Sequence, residues 1–177
     1  MRNLRILSFF AFVAIFSLTF ALASEVQLSE DESTIIMEEF EEMTKGIDAV
    51  GIFVHNTSIA LPMFIPGFGI VWGLFAAFST GIAFSAMKST IPLLSQVPSL
   101  SVLFMSPFGL MEVAAYSIAM SRSYILIHKI IKKMPIRPDI RVICLEVAIL
   151  VALLLAGGFL EYFMIESMSG FDSGMID

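Results

Sequence analysis

Three polar residues lie in stretches that are otherwise apolar, and their types suit them to chemistry. Glu112 follows soon after a Ser106-Pro107 pair, near the start of an apolar run, and His55 and Asn56 are neighbours in an earlier apolar run. A carboxyl group beside an imidazole or an amide can line a path for a proton or a cation. It can equally form an internal hydrogen bond that holds two helices together. The sequence leaves both interpretations open.

The motifs of common catalytic sites are missing from this sequence. It contains no Gly-x-Ser-x-Gly, His-Glu-x-x-His or Walker motif. Its single cysteine, Cys144, cannot complete a zinc cluster or an intrachain disulfide. We therefore predict a protein that is not an enzyme and has no metal site and no cofactor. The net charge of −6 argues against a nucleic-acid partner, whose phosphates require a basic surface.

The composition is that of a membrane protein. The chain has 177 residues, of which 58% are hydrophobic and 15% charged, and its mean hydropathy is +0.91. A chain of this length has no interior large enough to bury so much apolar surface, whereas a bilayer provides the missing environment. The sequence predicts an all-α, polytopic transmembrane helix bundle in the cell membrane, with the lipid bilayer as its main partner.

Residues 1–23 have two possible roles. A basic start is followed by an uncharged run and then by Ala21-Leu22-Ala23, an order typical of a cleaved signal peptide. The same segment is also nearly long enough to be a first transmembrane helix.

The acidic residues 24–46 are expected outside the cytoplasm. Residues 29–45 have the pattern of an amphipathic helix, and Ser33 is a candidate N-cap.

Residues 47–163 are predicted to form the transmembrane core. The stretch from Ala49 to Met87 has no acidic or basic residue and is roughly twice as long as one spanning helix requires. Pro66-Gly67 is expected to break it into helices at about 47–65 and 68–87.

Two further spanning helices are expected in the second half of the chain. Ser106-Pro107 predicts the start of a helix at about 107–128, and 142–160 is the last apolar run. The stretch 89–105 contains two prolines and is expected to be interfacial or re-entrant.

The helix expected at 68–87 has small residues at every fourth position. We call this set the small-residue stripe; it comprises Gly69, Gly73, Ala77, Gly81 and Ser85. Small residues allow another helix to approach closely. The stripe therefore predicts a packing face, either toward a helix of this chain or toward another membrane protein or a second copy.

Basic residues are concentrated at the N-terminus and in the segment 122–141. The segment contains Arg122, Lys129, Lys132, Lys133, Arg137 and Arg141. Because basic loops stay in the cytoplasm, we expect a cytoplasmic basic loop at 122–141. The N-terminus is then cytoplasmic if it is uncleaved, and the acidic tail 164–177 is extracytoplasmic. This arrangement requires five spanning segments, or four if the first is removed. Glu146 is expected to pair with Arg122 or Arg141.

Two stretches of this core resemble a known family. They are His55-Asn56-Thr57-Ser58-Ile59-Ala60-Leu61, followed by Pro66-Gly67-Phe68-Gly69 and Thr80-Gly81, and the run Pro107-Phe108-Gly109-Leu110-Met111-Glu112 with the apolar residues up to Ala119. Over about residues 50–125 the sequence resembles the stage II sporulation protein M family of small polytopic membrane proteins. The positions that match the family pattern are Asn56, Gly81, Pro107, Gly109 and Glu112. Phe108 and Thr80 depart from it, since the family has His and often Asn there.

The resemblance implies a membrane scaffold or a subunit of a membrane protein complex. In endospore formers the family member works with cell-wall hydrolases, but a sporulation role does not follow for this chain. The rival hypothesis is a component of a transporter or channel that uses Glu112 with His55 and Asn56. It is motivated by the helix breaks at Pro66-Gly67 and Ser106-Pro107, because transport sites are often built at such breaks.

Overall fold

All regular structure in the described part of the chain is helical. The computed structural model describes residues 2–173, with side chains for residues 3–167. The α-helices are α1 (Arg2–Ala23), α2 (Glu30–Thr44), α3 (Ala49–Ala60), α4 (Phe68–Thr90), α5 (Ser99–Met105), α6 (Pro107–Ile131) and α7 (Ile140–Ser173). Short 3₁₀ turns occupy Leu61–Phe64, Leu94–Gln96 and Arg137–Asp139. The side chains of Arg2, Asp172 and Asp177, on which the sequence predictions drew, lie outside the described residues.

Several of these helices are suited to crossing a membrane. Three are long and apolar enough alone: Asn3–Ala23, Phe68–Thr90 and Arg137–Ser167. The number rises to five if each of two bent pairs is one span. One pair joins α2 to α3 at an angle of 118°, and the other joins α5 to α6 at 89°. The predicted all-α class is confirmed, with three to five candidate spans.

Local sequence explains where α2 begins. The Ser29 hydroxyl accepts a hydrogen bond from the backbone N–H of Glu32, and the Glu32 carboxylate accepts one from the backbone N–H of Ser29. This capping box requires an acidic or amide side chain three residues after the serine. Ser33 lies inside α2, three residues after its start at Glu30, so its prediction as N-cap was wrong. Ser33 is instead buried against α4, where Ser89 donates a hydrogen bond to it.

The two breaks expected in the core are observed, and each has a steric cause. Before α4, Gly67 has a φ of +78°, a conformation that a residue with a Cβ rarely adopts. Before α6, the Ser106 hydroxyl caps the N–H of Gly109 at 3.1 Å, and Pro107 occupies the first helical position. A Cβ on Gly109 would lie 2.8 Å from the carbonyl oxygen of Val102, so this sharp corner requires glycine.

Helix α1 is part of the central packing. It lies against α4 and α6 and buries Phe12, Phe16 and Phe20. The Phe20 ring stacks on the Phe84 ring of α4, with the ring centroids 5.9 Å apart. The centroids of the Phe16 ring and the Tyr116 ring of α6 are 5.6 Å apart. Helix α7 packs on α3 and α6, while α2 packs on α4.

The small-residue stripe faces the inside of this bundle. All five of its residues are buried. A Cβ on Gly81 would lie 2.6 Å from the Cβ of Ala23 in α1, and one on Gly73 would lie 2.5 Å from the sulfur of Met120 in α6. The neighbours of the stripe therefore belong to this chain, which resolves the alternative that the sequence left open.

Candidate functional site

Asn56 and Glu112 meet at the interface of α3 and α6. The Asn56 side-chain amide donates a hydrogen bond of 2.6 Å to Glu112 Oε1. Asn56 is buried, and Glu112 lies in the second turn of α6 because the Ser106 cap fixes where that helix begins. The contact between an Asn and a Glu that the sequence made plausible is therefore present.

A second carboxyl group belongs to this region and was missed by sequence reasoning. Glu161 of α7 is close enough for its charge to interact with Glu112 and with the buried Tyr116. Glu161 lies about one turn after Gly157-Gly158, where α7 packs closely on α3 and α6. Their Cβ positions would lie 3.7 Å from Met111 Cβ and 3.1 Å from the Ala49 carbonyl oxygen. The Gly157-Gly158 pair was the available signal for this approach.

The structure does not bring His55 to Glu112. The His55 side chain is exposed on α3 while Asn56 is buried. Successive residues on an α-helix point about 100° apart, so neighbouring side chains cannot both face α6. The group around Glu112 thus consists of an amide, a phenol and two carboxyl groups, without an imidazole.

A charged cluster joins three helices at one end of the bundle. The Arg122 guanidinium of α6 donates two hydrogen bonds to the Glu146 carboxylate of α7, at 2.5 and 2.7 Å. Glu146 also forms an ion pair with Arg5 of α1. The predicted pairing of Glu146 with Arg122 is present, and Arg141 is exposed instead. The Arg5 contact was missed, since no local pattern relates residues so far apart in the chain.

The segment 122–141 is only partly a loop. Helix α6 continues to Ile131, so Arg122 and Lys129 are helical, and their residues are only 1% and 3% exposed. Buried cations require partners; Glu146 and Asp139 supply them through ion pairs. The prediction of one basic loop was wrong at these two positions. The exposed members are Lys132, Lys133, Arg137 and Arg141.

Hydrogen bonds and ion pairs between side chains connect the helices of this bundle. Among the side chains of residues 3–167, no group of three or more His, Cys, Asp or Glu residues is placed to hold a metal ion. The polar contacts described above connect α3 to α6 and α7 to both α1 and α6.

No family model, no curated protein and no solved structure matches this chain. The resemblance to the stage II sporulation protein M family stays a prediction.

Proposed function

We propose that this chain is a non-enzymatic polytopic membrane protein that acts as a scaffold or as a subunit of a membrane protein complex. The observation that carries the proposal is that Glu112, Arg122 and Lys129 all bond to other residues of the chain. Their partners are Asn56, Glu146 and Asp139. In lipid, such bonds hold helices in a fixed arrangement, which is what a scaffold requires.

The proposed resemblance to the stage II sporulation protein M family fits this role. Two of its matching positions, Asn56 and Glu112, bond to each other. Gly109 forms the corner before α6, and Gly81 packs against α1. These positions all support the bundle, and we extend the likeness to the scaffold role only, not to sporulation.

We propose five spanning segments, with α1 retained, the N-terminus in the cytoplasm and the C-terminus outside. The Arg5–Glu146–Arg122 contact supports this topology because it brings the N-terminus and the basic segment to the same end of the bundle. Basic residues favour the cytoplasmic side. Helices α1, α3, α4, α6 and α7 then cross the membrane in alternating directions. Helix α2 is bent away from α3 by 118°, and α5 is bent away from α6 by 89°.

The scaffold proposal is tested by the size of the protein in its own membrane. Chemical crosslinking in intact membranes at native expression, followed by mild detergent extraction, is expected to yield a species well above the 19.5 kDa monomer. A tagged, unrelated polytopic protein of similar size serves as the control for random crosslinking. A species that is always monomeric, at crosslinker doses that capture a known complex in the same membrane, would contradict the proposal.

A second candidate, a component of a transporter or channel, is favoured by one observation. Two carboxyl groups, Glu112 and Glu161, interact next to Asn56 and beside the helix corner at Ser106. Intramembrane carboxyl groups are common in ion and proton pathways. In proteoliposomes, Glu112→Gln is expected under this hypothesis to abolish proton or sodium flux, whereas Glu30→Gln on the exposed start of α2 leaves it unchanged. Flux that is equal in both variants would exclude it.

A further inference from the structure

A polar cavity opens at the end of the bundle where α1 and α4 finish. It has a volume of about 480 Å³ and is lined by the linker between α1 and α2, by the last turns of α4 and by Ser95. Both helices are candidate membrane spans, ending at Ala23 and Thr90. A cavity at the ends of two spans lies at the depth of lipid headgroups.

One acid and one base lie side by side in this cavity. Lys88 donates hydrogen bonds to Glu25 Oε1 at 2.7 Å and to the Ser99 hydroxyl at 3.3 Å, and Ser99 donates to the same carboxylate oxygen at 2.8 Å. These hydrogen bonds lower the pKa of Glu25, so its carboxyl group is charged at neutral pH. The side chain of Lys88 is 14% exposed and that of Glu25 is 68% exposed.

Both charged groups retain bonding capacity for a ligand. An ammonium group has three N–H donors, and the contacts of Lys88 use two of them. Both bonds to Glu25 end on Oε1, so within the described part of the chain Oε2 keeps its lone pairs. The cavity therefore offers a cationic donor and an anionic acceptor a few ångströms apart.

The serines of the cavity act mainly as acceptors. The hydroxyls of Ser24, Ser85 and Ser95 donate to the backbone carbonyls of Ala21, Val26 and Pro92. Their donors are thus occupied. Ser24 and Ser85 are buried, so Ser95, which is exposed, is the one of these three whose oxygen a ligand can reach. Such a lining favours a ligand that carries N–H donors of its own.

The lining of the cavity also includes the apolar residues Val26 and Leu28, and Val26 is 40% exposed. Ile91 and Leu93 follow α4 directly, just before the turn that contributes Ser95, and Leu93 is 78% exposed. Exposed apolar side chains at the end of a spanning helix are stable in the hydrocarbon of a bilayer. A ligand with a dipolar headgroup and an acyl chain matches this combination of surfaces.

We propose that this cavity binds the headgroup of a phosphatidylethanolamine lipid, with the ammonium on the Glu25 carboxylate and the Ser95 oxygen and the phosphate on Lys88. Phosphatidylcholine has no N–H donor for these acceptors. Phosphatidylglycerol has no cation for Glu25. The site therefore discriminates between lipids through hydrogen bonding and charge together.

Native mass spectrometry of the full chain with each of the three lipids tests the proposal. Phosphatidylethanolamine is expected to bind about tenfold tighter than either other lipid, the effect of one charge-assisted hydrogen bond. Glu25→Gln is expected to remove this preference, and Glu30→Gln on α2, which does not line the cavity, to keep it. Because Glu25→Gln breaks an ion pair, Ser95→Val provides a second variant that removes an acceptor and leaves the pair intact.

Three results would overturn the proposal. They are equal binding of the three lipids, an unchanged preference in both Glu25→Gln and Ser95→Val, and binding of soluble phosphoethanolamine as tight as that of the lipid. The last result would assign the cavity to a soluble metabolite. None of these measurements depends on whether the protein acts as a scaffold.

Discussion

The amide of Asn56 and the carboxyl group of Glu112 are joined by a 2.6 Å hydrogen bond between α3 and α6. Both helices adjoin sharp bends, of 118° before α3 and 89° before α6. A bond between the two helices that follow these bends fixes their relative rotation. In lipid no water replaces such a bond, so its loss leaves a buried polar group without a partner.

The Asn56–Glu112 bond predicts an asymmetric response to mutation. Glu112→Gln keeps a carbonyl acceptor for Asn56, so we expect little change in stability. Asn56→Leu leaves Glu112 without its donor, and we expect a loss of about 1–3 kcal/mol in unfolding free energy. Unfolding in mixed micelles followed by circular dichroism measures both. Val54→Leu, at an exposed position of the same helix, is the control; an Asn56→Leu protein as stable as that control would contradict the prediction.

Replacing one partner of the Arg122–Glu146 ion pair is expected to destabilise the bundle more than replacing both partners together. Glu146→Leu leaves the buried Arg122 without a partner, and we expect it to destabilise the protein by about 3–5 kcal/mol. Arg122→Met is expected to cost less, because Glu146 keeps its ion pair with Arg5. The double variant should recover most of this loss, since Arg5 is partly exposed and can turn to water. The measurement is a double-mutant cycle by micelle unfolding, with exposed Arg141→Leu as control. Additive losses in the double variant would show that the two residues act independently.

Gly81 is predicted to be the position of the small-residue stripe at which a larger side chain would separate α4 from α1. Its missing Cβ allows Phe20 and Ala23 of α1 to approach α4. Gly81→Leu is expected to separate the helices and to cost about 1–3 kcal/mol through overpacking. Thr80→Leu, at an exposed position one residue earlier, is the matched control. Thermal stability in detergent compares the two, and equal melting temperatures would contradict the packing described here.

The breaks before α4 and α6 were predictable because they depend on local chemistry. Pro66-Gly67 and Ser106-Pro107 act through missing donors, fixed dihedrals and side-chain caps, which are properties of adjacent residues. The identity of the helix that packs on the small-residue stripe has no such local cause. It depends on how α1 folds back onto α4, which only the structure shows.

The polar contacts were harder to predict because a helix in lipid can be apolar on all sides, so its sequence does not indicate which face is buried. In a soluble helix, alternating polar and apolar faces show which side is buried. Here both faces of α3 are apolar, so nothing in the sequence distinguishes His55, which is exposed, from Asn56, which is buried. The partner of Lys129 is Asp139 in the following 3₁₀ turn, and the partner of Arg122 is Glu146 in the following helix. Arg5 contacts Glu146 although 141 residues separate them in the chain.

The lowered pKa of Glu25 predicts how stability depends on pH. Hydrogen bonds from Lys88 and Ser99 stabilise the carboxylate in the folded state, so its folded pKa lies below the unfolded value of about 4.3. The contribution is complete above the unfolded pKa and is lost as the pH falls through the folded pKa. We expect wild type to melt slightly higher than Glu25→Gln at pH 7, with a difference that shrinks below about pH 4. Because Glu25 is largely exposed, the effect is small; a difference that stays constant down to pH 3 would contradict it.

The packing of α1 predicts that residues 1–23 remain in the mature protein. Phe12, Phe16 and Phe20 are buried against α4 and α6. The Ser8 hydroxyl bonds to that of Ser121 at 2.7 Å. Cleavage after Ala23 would remove these contacts and expose Gly81 and its neighbours on α4. A signal peptide has no such role in the folded protein, whereas a first transmembrane helix does.

Intact mass and N-terminal sequencing of the protein purified from membranes measure this directly. We expect a mass that includes residues 1–23 and no change in processing in Ala21→Leu, which removes a small residue that a signal-peptide cleavage site requires. If α1 were a signal peptide, the wild-type chain would begin at Ser24 and Ala21→Leu would gain the mass of the uncleaved segment. The two outcomes differ by about 2.5 kDa, since 19.5 kDa for 177 residues is about 110 Da per residue and 23 residues would be removed. A single spectrum of each protein therefore distinguishes a retained helix from a cleaved one.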